Sequence, residues 1–126
     1  MGKWYNLEKI DANPDGGICA SIVVPPNSLW FSGHFPGNPI LPAIAQLAIV
    51  HDLVELACGR GVIPQTVNRV KFRRIIKPGE IVNIVVTPIK DNEMTYSFKL
   101  AVNGEMACKG SMKTAKSINI EGVSKN

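Results

Sequence analysis

From Ala43 to Ala57 the chain has neither glycine nor proline, and nearly every residue is apolar. No other long apolar stretch lacks a breaker. It follows directly on a loop, Gly33-His34-Phe35-Pro36-Gly37-Asn38-Pro39-Ile40-Leu41-Pro42, that is stiffened by three prolines and loosened by two glycines. Pro42 suits the first helical position, where a missing N–H costs nothing. Cys58-Gly59-Arg60-Gly61 offers a glycine where a left-handed cap is expected. The segment therefore predicts one long helix, about 25 Å at 1.5 Å per residue. Its apolar residues cover most of the circumference, which predicts a buried central helix. Ala48, His51, Asp52 and Glu55 share one stripe by their spacing, with Gln46 nearly opposite.

The flanking sequence reads as strands. Residues 17–24 are β-rich and follow the turn signal Asn13-Pro14-Asp15-Gly16-Gly17. After Pro64 the period becomes two: Val70 and Phe72 point one way, and Arg69, Lys71 and Arg73 the other. Turns at Lys77-Pro78-Gly79-Glu80, Lys90-Asp91-Asn92-Glu93 and Asn103-Gly104 separate strands over 81–89, 94–102 and 105–114. The expected order is one strand, the helix, then four strands as an antiparallel meander. One curved sheet around one helix is the economical packing, an α+β fold. At 126 residues the chain is a single domain, with 115–126 expected to fray as a polar tail. Sheet edges left uncovered make dimerisation plausible.

Composition narrows the function classes. The apolar run 40–50 is too short to span a bilayer, and residues 1–5 lack the apolar core of a signal peptide. Cys19, Cys58 and Cys108 are odd in number and widely spaced, which fits a reducing compartment and offers no metal spacing. A cytoplasmic protein with no metal and no membrane partner is expected. The net charge is only +4, yet Arg69, Lys71, Arg73, Arg74 and Lys77 crowd into nine positions. Such a patch suits an acidic partner or a solvated strand face. No nucleic-acid motif accompanies it, so nucleic acid is not expected.

His34 is the only histidine outside the helix. A base next to a helix start, whose N–H groups near Ala43 and Ile44 lack intrahelical partners, suits proton abstraction α to a thioester carbonyl. A loop histidine also serves often as a plain hydrogen-bonding residue.

The stretch Gly33-His34-Phe35-Pro36-Gly37-x-Pro39-x-x-Pro42 resembles the active-site loop of the 3-hydroxyacyl-acyl-carrier-protein dehydratases of the FabA/FabZ type. Val70-Lys71-Phe72-Arg73-Arg74 with Ile76-Lys77-Pro78-Gly79-Glu80 resembles their basic strand and following turn. The resemblance covers about residues 15–115 and implies a hotdog fold: a long helix wrapped by a curved antiparallel sheet. It also implies a homodimer or higher even-numbered oligomer with tunnel-like sites at the interface.

By that resemblance His34 matches the base, and a backbone N–H at Ala43, where the family usually has glycine, binds the thioester carbonyl. Phe35, Gly37, Pro42, Ala43, Ile44 and Ala48 would contact substrate. Arg69, Lys71, Arg73 and Arg74 would receive an acidic acyl carrier protein. The substrate would be a 3-hydroxyacyl thioester of that carrier or of coenzyme A, in fatty acid or related acyl-chain biosynthesis, with no cofactor. One position departs from the pattern. Ala48 stands where the family places an Asp or Glu that assists loss of the β-hydroxyl. Asp52, one turn later, is the candidate displaced acid; the alternative is that it hydrogen-bonds a neighbouring segment. Glu55 is a weaker candidate, and His51 is expected on the helix surface. Two further readings are a non-catalytic acyl-thioester binding module and a hotdog thioesterase.

Overall fold

The computed structural model describes residues 4–31, 37, 39–59 and 61–116. The elements are β1 (Asn6–Ala12), β2 (Ile18–Val23), a 3-10 turn (Leu29–Phe31), α1 (Ala43–Cys58), β3 (Val62–Phe72), β4 (Ile81–Pro88), β5 (Thr95–Val102) and β6 (Glu105–Lys116). The six strands form one antiparallel sheet in the order β1-β2-β4-β5-β6-β3.

One face of α1 supplies the middle of the core. Ala45, Ile49, Val50, Leu53 and Val54 are fully buried, together with Ile22, Ile84, Val86, Leu100 and Met112 from the strands. The all-round apolar pattern led to the expectation of complete burial, and that needs correction. Ile44 is 66% exposed and Leu56 46%, because one sheet covers only one side of a helix. Two end details also differ. Pro42 is the N-cap, with φ −69° and ψ 158°, rather than the first helical residue. Gly59 has φ 88° but ψ −167°, outside the left-handed helical well. The last turn is pinned to β5 by a 2.7 Å contact between Cys58 Sγ and the Tyr96 hydroxyl. Burial first, and this bond second, push Tyr96 up to about 12.

Three corrections concern the strands. β1 was not expected, since its seven residues carry no alternation of burial and are all exposed. An edge strand needs only one hydrogen-bonded neighbour, and β2 supplies it. β3 begins at Val62, not after Pro64, and its partner is β6. Pro64 is tolerated there because β3 is the other edge. The four later strands are therefore not a simple meander: β4, β5 and β6 are, while β3 lies beyond β6. The last strand also runs to Lys116, two residues into the expected tail; residues 117–126 lie outside the described set.

The strong local signals fold as read. Asn103 and Gly104 have φ 52° and 79°, the two left-handed residues that a tight hairpin wants. The alternation at the end of β3 holds only in part: Val70 packs against the core, while Phe72 is 47% exposed. Phe72 pairs with buried Cys108 and Lys71 with exposed Lys109. A bulge between Asn68 and Lys71, with Arg69 at φ 55°, bends this edge. Gly110 lies across from it. A Cβ there would come within 2.9 Å of Phe98 Cζ and 3.1 Å of Val70 Cα. Gly110→Ala is therefore expected to destabilise the protein by about 1–3 kcal/mol. A lower urea midpoint with an unchanged m-value would show it.

Candidate active site

The start of α1 is held from two sides. The Leu41 N–H donates to Ile76 O at 2.8 Å, and Leu41 O accepts from Gln46 Nε2 at 3.1 Å. The carbonyl of Pro42 accepts the first intrahelical bonds, from Ala45 and Gln46. Among the described residues no side chain caps the helix, so the N–H groups of its first residues point out of its end. A groove of about 330 Å³ opens there, lined by Pro42, Ala43 and Gln46 on one side and Phe72, Arg73 and Ile75 on the other. Unpaired N–H groups and the positive end of the helix dipole, with a cation opposite, suit a polarised carbonyl.

The expected site residues fall as follows. Pro42 and Ala43 line the groove. Ile44 is exposed beside it and Ala48 is half-buried one turn further on. Gly37 is exposed, with φ 82°. His34 and Phe35 lie outside the described residues. Asp52 is engaged: the Tyr5 hydroxyl donates to its Oδ2 at 2.7 Å. Tyr5 is only 4% exposed, and a buried phenol needs such a partner.

The basic cluster divides. Arg69 and Lys71 lie on the outer side of the sheet, where Lys71 and Lys99 both pair with Lys109. Arg69, Lys99 and Lys109 surround an open trough of about 830 Å³ with Asn68, Ser97 and Ser111. Arg73 belongs to the groove at the helix start. Arg74 is occupied: it bonds both Glu80 oxygens, at 2.9 and 3.1 Å, and Glu105 at 2.9 Å. Like charges directly opposite destabilise a sheet, whereas Arg74 fastens the crossing from β3 to β4. Sequence spacing cannot separate these roles, because the two acids lie six and thirty-one residues away.

The bond from Arg74 holds the Glu80 carboxyl below the usual carboxylate range, against the opposing effect of burial, and the Lys77 N–H adds to it. The same bond raises Arg74 further above its ordinary value. Because folding lowers the Glu80 pKa, its contribution is complete above the unfolded-chain value and is lost as pH falls through the folded one. Glu80→Gln is expected to lower Tm by roughly 3–5 °C at pH 7, and the gap to wild type should close below about pH 4. A gap that stays constant with pH would contradict this account.

His51, Asp52 and Glu55 place ligand atoms within 4.8 Å of one another, all half-buried. His51 Nε2 meets Val62 O at 3.1 Å and its Nδ1 lies 3.9 Å from Glu55. Asp52 also accepts the hydrogen bond from Tyr5.

Residues 10–111 match the family model described as ApeI-like, ApeI dehydratase. The chain belongs to the ApeI-like dehydratase family. Among its relatives is the 3-hydroxyacyl-acyl-carrier-protein dehydratase FabZ of Lactiplantibacillus plantarum, 32% identical over 112 residues, covering 81% of this chain and 76% of that one. The FabZ of Rickettsia rickettsii (strain Sheila Smith) is 34% identical over 111 residues, covering 79% and 74%. Among solved structures, the dehydratase heterocomplex ApeI:P from Xenorhabdus doucetiae aligns with TM-score 0.80 at 21% identity, over 88% of this chain and 97% of that one. A hypothetical thioesterase from Streptococcus pneumoniae aligns with TM-score 0.63 at 16% identity, over 90% and 87%. At such identities the structural likeness establishes the fold, and the fold is the hotdog. No described helix is long and apolar enough to cross a membrane.

Proposed function

We propose that this chain is a dehydratase-type lyase acting on 3-hydroxyacyl thioesters of an acyl carrier protein or coenzyme A, in fatty acid or related acyl-chain biosynthesis. The observation that carries the reading is the groove at the uncapped start of α1, in a chain of this family. The carbonyl of the thioester sits on the N–H groups of Ala43 and Ile44. His34 takes the proton from C2, the electron pair forms the C2=C3 double bond, and the hydroxyl leaves C3 as water after protonation. Phe35, Gly37 and Pro42 contact the substrate. Arg73, beside the groove, with Arg69 and Lys71 on the sheet, receives an acidic carrier. Arg74 supports that surface through its two carboxylates rather than by direct contact.

His34→Ala should reduce hydration of a trans-2-enoyl thioester by at least about 10²-fold. Absence of turnover on carrier-protein and coenzyme A substrates in both wild type and Ala48→Glu would sink the reading. Asp52 is the acid that remains on the helix stripe, acting directly or through water. Asp52→Asn should then cost about 10²-fold in turnover, and an unchanged rate removes Asp52 from the mechanism.

A second reading is favoured by Ala48 and by the bond that occupies Asp52. The exposed Ile44 and Leu56 and the edge strand β3 leave surface for another subunit. The X. doucetiae relative is a heterocomplex, and here a different dehydratase subunit would bring the carboxylate. Ala48→Glu separates the two. If Asp52 suffices, the substitution changes little. If the acid comes from elsewhere, the isolated protein is nearly inactive, and Ala48→Glu raises turnover by about tenfold or more.

A further inference from the structure

Gln46 is 3% exposed, one of three buried polar residues among those described, with Ser28 and Thr114. The other two are satisfied: Ser28 Oγ accepts from the Trp30 N–H, and Thr114 Oγ1 donates to Met94 O. Gln46 is satisfied on one side only. Its Nε2 donates to Leu41 O, while its Oε1 is the one buried side-chain nitrogen or oxygen among the described residues without a partner. A buried acceptor left unpaired is costly, and such a group calls for an explanation. The bond to Leu41 assigns the amide: Leu41 O accepts, so the atom facing it is Nε2 and the orphan is the oxygen.

The position of that oxygen gives the explanation. Gln46 lines the same groove as Pro42 and Ala43. The bond to Leu41 folds the side chain back along the first turn, so Oε1, on the same carbon as Nε2, lies within about one turn, ~5 Å, of the helix start. A thioester carbonyl resting on the first N–H groups would carry its C3 hydroxyl two carbons away, a comparable reach.

We propose that Gln46 is a specificity-determining residue, whose Oε1 accepts a hydrogen bond from the 3-hydroxyl of the bound substrate. The inference rests on the dehydratase reading and deepens it. A neutral amide oxygen holds the hydroxyl without protonating it, so Gln46 selects the substrate and does not drive elimination. The enoyl product has no hydroxyl, leaves Oε1 unpaired again, and is released more readily. A saturated acyl chain is discriminated against in the same way.

Binding separates this from the chemistry. Calorimetric titrations with 3-hydroxybutyryl-pantetheine and butyryl-pantetheine are run on wild type and on His34→Ala, where elimination is stopped. The hydroxy ligand should bind about tenfold tighter than the saturated one, as one buried neutral hydrogen bond implies. Gln46→Leu should bring that ratio to about one, leaving the saturated ligand within about twofold. Gln46→Glu, which keeps an acceptor, should retain the preference. Equal affinities in wild type and His34→Ala overturn the proposal, even if Gln46→Leu does not fold. A preference that survives Gln46→Leu overturns it too. A hydroxyl preference without turnover in either wild type or Ala48→Glu would uphold Gln46 and reject the dehydratase reading. Turnover without preference would do the reverse, and binding of neither ligand would reject both.

Discussion

The contact between one face of α1 and one face of the sheet is what the rest of the structure depends on. Ile49, Val50, Leu53 and Val54 are wholly buried there, each worth about 1.5–3 kcal/mol over an exposed side chain. That burial fixes where the helix begins, because Leu41 is tied to Ile76 just before it. It therefore fixes where the unpaired N–H groups point. The groove at the helix start is a by-product of this packing: β3 ends beside it, and Arg73 and Ile75 close its far wall.

The same packing leaves one side of the helix bare. A helix with an apolar circumference meets a sheet that covers only one side, so Ile44 and Leu56 stay exposed. The stripe that includes Ala48 lies toward this uncovered side. A methyl group there can shape an acyl site, but it cannot move a proton. The carboxylate one turn later is already bonded to the buried Tyr5 hydroxyl. The start of the helix and its groove are thus in place, whereas the side chain at Ala48 has no group that moves a proton.

Much of the fold was legible because its signals are local. A breaker-free apolar run forms a helix wherever it is placed, and Asn103-Gly104 forms a tight hairpin from its own backbone preferences. β1 was invisible because an exposed edge strand needs no alternation. The place of β3 beyond β6 was hidden because strand order depends on which edge the crossing chain reaches. The basic cluster read as one docking patch. Three dimensions divided it into an outer trough, a groove-side Arg73 and an Arg74 locked between Glu80 and Glu105.

By itself, the sequence determined the long helix, the α+β class, the family resemblance of the His34 loop, and the absence of an acid at Ala48. These follow from residue types and from spacings within one element. Only the tertiary structure decided that Asp52 serves Tyr5, that Gln46 carries an unpaired oxygen beside the helix start, and that the buried helix has a bare side. Each of these depends on which distant segments meet, over separations of 47 residues for Tyr5 and Asp52. Hydrogen-bond satisfaction is settled only when all the neighbours are in place.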